Sequence, residues 1–241
     1  MYKMELHIHT RYSKDSLLCL NLLYIKCILK RIRCVAITEH NNIAGALAFE
    51  KLCKKRRNKI FVIIGEEIFT KTGEVIGLYL KKEISSQMSC EDTMNEIIRQ
   101  GGIVYIPHPY DEHRNKTVLN INDIKSNIDK IDCIECYNGR NISGKYEEKQ
   151  RSIADEFAIA KVIGSDAHTI LEVGRNIIYV NKIPKNSQEF KTCINNCTFV
   201  KKERIMFAHY ITKFAKIIKL ALRGDFYEIK RIIIKRIRKR M

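Results

Sequence analysis

From its first residue to about residue 180 the chain alternates short apolar, β-rich runs with amphipathic helical stretches. This alternation constrains the fold more than any other feature of the sequence. The candidate strands are Lys3–Ile8, Cys34–Thr38, Ile60–Ile64, Val75–Leu80, Ile103–Ile106, Ile131–Tyr137, Ala160–Ile163 and Asn176–Val180. Between them lie the helical patterns Leu17–Arg33, Ile43–Arg57, Cys90–Gln100 and Ser143–Phe157. Strand and helix in turn argue for βα units around a largely parallel sheet. The strand runs are continuously apolar rather than alternating, as expected when both faces of a sheet are covered. Seven or eight such units predict a closed or distorted barrel of the (β/α)7 type, TIM-like in outline. After Pro184 the pattern changes: residues 186–197 read as one more helix, and 206–239 as basic amphipathic helix broken near Gly224–Asp225. The expected organisation is a barrel over residues 1–183 and a helical, strongly basic extension over 184–241, packed on the barrel.

A chain of 241 residues can bury one sizeable core. Its longest apolar runs fall far short of the ~20 residues that a membrane-spanning helix needs. The opening MYKMELHIHT has no basic segment followed by an apolar stretch, so no signal peptide is read there and a cytoplasmic protein is expected. Nine cysteines, odd in number and irregularly spaced, do not read as a disulfide framework. Cys133 and Cys136 form a C-x-x-C, but inside an apolar strand run, and Cys193/Cys197 has a different spacing. Buried small hydrophobes are the expected role for both pairs. The net charge of +17 is unevenly spread: residues 201–241 hold 14 Lys/Arg against 3 Asp/Glu, a net of +11, which leaves +6 for the rest.

The chemistry-bearing residues cluster at the ends of the candidate strands. The first ends in His7-Ile8-His9, and in an extended chain residues i and i+2 point to one face, so both imidazoles could reach one metal. The second ends Thr38-Glu39-His40, and the third Gly65-Glu66-Glu67. Later strands end in Pro107-His108-Pro109, Glu135-Cys136-Tyr137-Asn138 and Gly164-Ser165-Asp166-Ala167-His168. Five of the seven histidines thus fall at strand carboxyl ends, the face on which catalytic residues converge in α/β barrels. Histidine with Asp and Glu is a ligand mix suited to Zn, Mn or Fe. Glu39 and Glu67 read here as solvated or capping residues, and His113 and His209 as surface residues. Asp15 reads equally as a metal ligand or as a cap for the helix at Leu17–Arg33.

In order and spacing, ELHIHT, TEHN, GEE, IPHP and GSDAH resemble five motifs of the PHP (polymerase and histidinol phosphatase) superfamily: D-L-H-x-H-S, T-D-H-x, G-x-E, H-P and G-S-D-A-H. The resemblance covers roughly residues 1–180. Each motif alone is weak, whereas five in order are specific. Glu5 and Glu39 stand where the family has Asp, and tuning of the surroundings of the site is expected from them.

The resemblance implies the PHP barrel and a site for two or three divalent ions (Mn, Zn or Fe). His7, His9 and Asp166 would hold the first, Glu66 would bridge the first and second, and His108 with Glu135 would serve the second. Asp15, His40 and His168 would hold the third. Such ions neutralise phosphate oxygens and bring a bound water to a near-neutral pKa for in-line attack. Arg140 in YNGR and Arg175 in EVGRN could clamp the substrate phosphate, a salt bridge beneath the site being the alternative for either. The sequence contains no Ser-His-Asp grouping, P-loop or G-x-G-x-x-G.

The expected function is therefore metal-dependent hydrolysis of a phosphomonoester such as a nucleotide, nucleoside bisphosphate or sugar phosphate. A phosphodiesterase or exonuclease on nucleic acid is the alternative, favoured slightly by the basic tail. Phe207, Tyr210, Phe214, Phe226 and Tyr227 are expected to face the core, which leaves little sign of a base-stacking platform. A non-catalytic binding module with a residual metal site is the third reading. The tail through residues 201–241 could also contact nucleic acid or an anionic membrane surface. The loop Tyr110–Val118 and the tail are expected to set specificity.

Overall fold

The structure is a computed structural model that describes residues 1–57, 59–114, 117–142 and 144–238, side chains at 112, 233 and 235–238 excepted. The expected helix start at Ser143, loop positions 115 and 116, and the last three tail residues lie outside the described residues. Among the described residues nine strands form one sheet: β1 (Tyr2–Ile8), β2 (Ile32–His40), β3 (Phe61–Phe69), β4 (Glu74–Leu78), β5 (Ile103–Ile106), β6 (Cys133–Asn138), β7 (Ala160–Gly164), β8 (Ile177–Val180) and β9 (Thr198–Val200). The helices are α1 (Leu20–Lys30), α2 (Ala44–Lys55), α3 (Cys90–Arg99), α4 (Ile121–Ser126), α5 (Gly144–Glu156), α6 (Ser187–Ile194), α7 (Ala208–Leu222) and α8 (Phe226–Arg238).

The sheet runs β7-β6-β5-β4-β3-β2-β1-β8-β9. Neighbours within β1–β3 and within β5–β7 are parallel, as βα units require, while β4 is antiparallel to both β3 and β5. Beyond its open end, the segment after β7 returns to β1. Ser165 N donates to Leu6 O (3.0 Å), Ala167 N to His7 O (3.2 Å) and His9 N to Ala167 O (2.8 Å). These bonds nearly close β1–β7 into a barrel, the expected architecture. They also join the first and last motifs of the sequence.

Alternation along the strands sorts the side chains to two faces. Met4, Leu6, Cys34, Ala36, Ile76, Leu78, Ile103 and Tyr105 share one cluster, together with Cys133 and Cys136. Their strand neighbours Val35, Ile37 and Val62 pack with α1 and α2, and Val104 and Ile106 with α3. Each such Ile or Leu stabilises the fold by about 1.5–3 kcal/mol relative to an exposed one. All nine cysteines are free thiols.

Two boundaries differ from expectation. Helix α1 starts at Leu20 rather than Leu17, because residues 10–19 form a loop tied back by Arg11 N to Leu18 O (2.9 Å) and by the Ser16 hydroxyl to His9 O and His168 O. The helix expected over 186–197 ends at Ile194, and Thr198–Val200 then adds β9 to the sheet beside β8, so the sheet continues past residue 184. The tail breaks where expected. Gly224 takes a left-handed φ of 72°, and the Asp225 carboxylate caps α8 by accepting from Glu228 N (3.1 Å). No helix among the described residues is long and apolar enough to cross a membrane.

Candidate metal centre

The carboxyl ends of β1, β2, β3, β5 and β7 meet at one mouth of the barrel. The residues they deliver there are held in unusual backbone conformations. His7 (φ 64°), His108 (φ 32°) and Asp166 (φ 48°) are all left-handed without being glycine, a strain that clusters at functional sites. At His7 it coincides with a break in the β1–β2 register between Glu5 and Ile8. Strand alternation alone therefore does not set the His7–His9 pair. A local bulge turns both rings inward, with centroids 5.1 Å apart.

Glu67 lies among four imidazoles. Its Oε1 is 3.2 Å from His7 Nε2 and 3.1 Å from His108 Nε2, and its Oε2 is 3.4 Å from His9 Nε2 and 2.9 Å from His40 Nδ1. Asp166 Oδ1 faces His7 Nε2 (3.6 Å), His9 Nε2 (3.5 Å) and His168 Nδ1 (3.4 Å). Asp15 Oδ1 faces His40 Nε2 (3.5 Å) and His168 Nε2 (3.4 Å). The His9 ring stacks between those of His40 and His168, at 4.4 and 4.2 Å. Asp15 does not cap α1, whose cap position is Cys19 with no side-chain bond.

Seven of the nine expected ligands thus come together: His7, His9, Asp15, His40, His108, Asp166 and His168. The other two are placed differently. Glu66 turns away from the cluster, and its Oε2 accepts from Ile84 N (3.0 Å). Neighbouring strand residues face opposite sides, so only one of Glu66 and Glu67 can point into the mouth, and it is Glu67. The G-x-E motif counted from Gly65 also ends on Glu67, the signal that could have found it. Glu135 stands behind the cluster. It accepts from His7 Nδ1 (3.0 Å), His108 N (2.6 Å), Asn138 Nδ2 (2.8 Å) and the Tyr105 hydroxyl.

Neither expected arginine clamp reaches the cluster. Arg140 is buried and forms a two-pronged pair with Glu172 (2.7 and 2.9 Å), and Arg175 donates to Glu203 O (2.8 Å). Arg114 is there instead. Asp111 holds its Nε at 2.9 Å, and its Nη2 pairs with Asp166. It comes from the loop expected to set specificity. Sequence pattern singles out neither it nor Glu74, whose Oε1 and Oε2 lie 3.6 Å from His40 Nδ1 and 3.7 Å from His108 Nε2.

The residues outside this set support it. Glu39 is buried and accepts from Thr10 N (3.0 Å) and from the hydroxyls of Thr10 and Ser13. Ser13 Oγ in turn meets His9 Nδ1 (3.1 Å). Glu39 lies so close to Gly45 that a Cβ there would overlap its carboxylate. Glu5 accepts from Gly174 N (2.9 and 3.0 Å), and burial pushes its carboxyl up to about 8.

Burial acts on every group in the cluster, and charge decides the outcome. Burial alone would raise Glu67, Asp166 and Asp15, yet the imidazoles of His7 and His40 hold Glu67 well below the carboxylate range. Arg114 and His7 do so for Asp166, and His168 and His40 for Asp15. His7 is pushed up against burial by Glu67, Asp166 and Glu135, while His9, desolvated and beside His168 and His40, is pushed down. His7 Nε2, His9 Nε2, His108 Nδ1 and Asp15 Oδ1 are buried and make no hydrogen bond. Unpaired buried nitrogens and ionised carboxylates, grouped as His7/His9/Asp166, His7/Glu67/His108 and His9/His40/His168 with donor atoms within 4.8 Å, fit divalent cations.

Helix α7 crosses the same mouth. Its Thr212 hydroxyl accepts from Arg140 Nη2 (2.8 Å), and Lys219 Nζ donates to the carbonyls of Arg11 and Ser13 (2.5 Å each). His209, expected on the surface, is part-buried on the inner side. The tail aromatics expected to face the core do the reverse: Phe207, Tyr210, Phe214, Phe226 and Tyr227 are 55–77% exposed. The barrel's own core is already filled, so the tail packs mainly through small residues, Ala208 and Ala215.

The profile of the PHP domain family matches residues 5–226. An uncharacterized protein of Methanocaldococcus jannaschii, MJ0417, is 34% identical over 183 residues, spanning 75% of this chain and 71% of its own length. Among solved structures, a two-domain protein of Bacteroides vulgatus containing a predicted PHP-like metal-dependent phosphoesterase superposes with a TM-score of 0.68 at 17% identity. That match covers 83% of this chain but 64% of the two-domain protein. PsfC of Pseudomonas syringae gives 0.59 at 13% identity, over 92% and 98% of the two chains. At such identities the structural likeness concerns the fold.

Proposed function

This chain belongs to the PHP domain family, and on that premise we propose that it is a metal-dependent phosphoesterase hydrolysing a phosphomonoester. The observation that carries the reading is the placement of Glu67 among four imidazoles at the barrel mouth, with Asp166 and Asp15 beside them. One cation would be held by His7, His9 and Asp166, a second by Glu67 and His108, and a third by Asp15, His40 and His168. Bound there, manganese, zinc or iron would neutralise phosphate oxygens and acidify a water to near neutral. Glu135 accepts the Nδ1 proton of His7, which fixes the tautomer and leaves Nε2 free to face the cluster. Arg114, part-exposed at the mouth, offers a planar fork of donors to a phosphate oxygen. We place the protein in the cytoplasm, where its nine thiols would stay reduced.

Metal analysis of the purified chain, with hydrolysis of an aryl phosphate in added manganese, tests this reading. Two or three ions per chain and chelator-sensitive turnover are expected. A chain that stayed metal-free and inactive after reconstitution would instead be a binding module.

A second reading, phosphodiester cleavage in single-stranded nucleic acid, is favoured by the exposed aromatics. Tyr210, with Lys213 Nζ 5.7 Å from its ring centroid, is joined by Phe207 and Phe214 on a surface of net positive charge. Turnover of short oligonucleotides in preference to mononucleotides would select it.

A further inference from the structure

We propose that His209 is a substrate-binding residue, carried over the site by α7 so that its Nε2 meets the phosphate group beside Arg114. The inference rests on the phosphoesterase reading and adds to it a contact from outside the motif-bearing part of the chain.

The placement begins at Glu172. Its carboxylate takes both Nε and Nη2 of buried Arg140 and also accepts from the backbone of His168 (3.0 Å) and Thr169 (2.9 Å). Arg140 is therefore fixed against the end of the β7 motif. Its remaining reach goes to the Thr212 hydroxyl, which donates onward to Ala208 O (3.0 Å). Arg140 thus acts as a positioning residue: it fastens α7 across the mouth. Lys219, seven residues further along α7, fastens it to the carbonyls of Arg11 and Ser13. Residues three apart share a helix face, so a bond at Thr212 turns His209 inward with buried Ala208 and Ala215, while Tyr210 and Phe214 look outward.

Inside, the charged groups facing His209 from the barrel are Arg140, Arg114 and Asp166, with Lys213 on its own helix. Its Nε2 is buried and has no hydrogen-bond partner. A buried, unpaired nitrogen is costly and calls for an explanation. A ligand supplies one. Burial and the two guanidinium groups hold the imidazole down at about 4, so at neutral pH it is an uncharged donor and acceptor. An anionic oxygen placed between His209 and Arg114 would satisfy the nitrogen and offset the local positive charge.

The test uses the full chain loaded with manganese and titrated with inorganic phosphate by calorimetry, with manganese content measured alongside. His209→Ala is expected to weaken phosphate binding roughly tenfold or more and to raise KM for an aryl phosphate more than it lowers kcat, with manganese content unchanged. Alanine favours helix, so α7 itself should persist. His209→Gln, which keeps an N–H donor, is expected to recover part of the loss. Leu222→Ala, on the exposed end of α7, should bind phosphate as the parent does. Unchanged phosphate affinity in His209→Ala, or a loss of manganese with it, overturns the inference while leaving the phosphoesterase reading in place. A parent chain that takes up manganese but neither binds phosphate nor hydrolyses the ester overturns both.

Discussion

The barrel mouth and the tail helix above it are both rich in polar residues, but they are built in opposite ways. At the mouth, His7, His9, Glu67, His108 and Asp166 are at most 1% exposed, three of them on left-handed backbone, and they come from the ends of β1, β3, β5 and β7. On α7, the aromatic face is open and the attachment runs through a few side chains, chiefly Thr212 and Lys219. A site made from strand ends is rigid because the whole sheet opposes its distortion. A helix fastened at two points can vary without disturbing that sheet. On the proposed function, the mouth would carry the reaction and the tail the choice of substrate.

The largest effect should come from Glu67→Gln, which removes a carboxylate shared by four imidazoles. Metal content should fall and activity drop by at least about a hundredfold, whereas Glu66→Gln, facing the other way, should keep its metal. Equal loss in both variants would erase the distinction drawn at β3. Next comes Glu135→Gln, behind the cluster. A loss of about 10–100-fold in metal affinity is expected, measured by competition with a chelator, because an amide can donate as well as accept and the His7 tautomer is no longer fixed.

Lys219→Ala probes the joint between the two regions. It frees the carbonyls of Arg11 and Ser13, which lie just before Asp15 in the chain. Affinity for the most weakly held ion should fall roughly threefold, with the others unchanged. A uniform loss of all ions would mean that the tail braces the whole mouth.

The smallest effect concerns Glu5 and stability. Folding raises its carboxyl from an ordinary 4.5 to about 8, so between these values the folded chain keeps a proton that the unfolded chain releases. Stability from this group is present below pH 4.5 and lost as pH rises toward 8. Glu5→Gln removes that dependence. Its melting temperature relative to the parent should rise by a few degrees between pH 5 and pH 8, and a flat difference would mean that Glu5 is ionised in the fold.

Much of the barrel was legible because a parallel strand buried on both faces must be continuously apolar, and a covering helix must be amphipathic. Ile103–Ile106 is a strand over the expected residues. The short β9, with Thr198 and Val200 exposed, carries no such pattern and falls just past the helix expected over 186–197, in a stretch that the sequence assigns to no element. In the site, histidines were legible because they are scarce and fell at strand ends. Glu66 and Glu67 are adjacent and chemically identical, so composition could not choose between them. Arg114 and His209 were missed for another reason: they approach from a loop and a tail helix, where no periodicity marks the inward side.

By itself, the order of apolar runs and strand-end motifs determined the barrel and the mouth at which its polar residues meet, while the resemblance of those motifs implied seven of the residues gathered there, Asp15 among them, which the residues alone left open between ligand and cap. The barrel and its mouth are consequences of local periodicity, which the chain carries within each segment. Tertiary structure decided which glutamate points inward, that Glu135 orients His7 from behind, that Arg140 pairs with Glu172 while Arg114 reaches Asp166, and that α7 brings His209 over the mouth. Each of these depends on where a distant segment comes to rest. The contacts join residues up to 128 positions apart, as His7 and Glu135 are, and no local pattern records them.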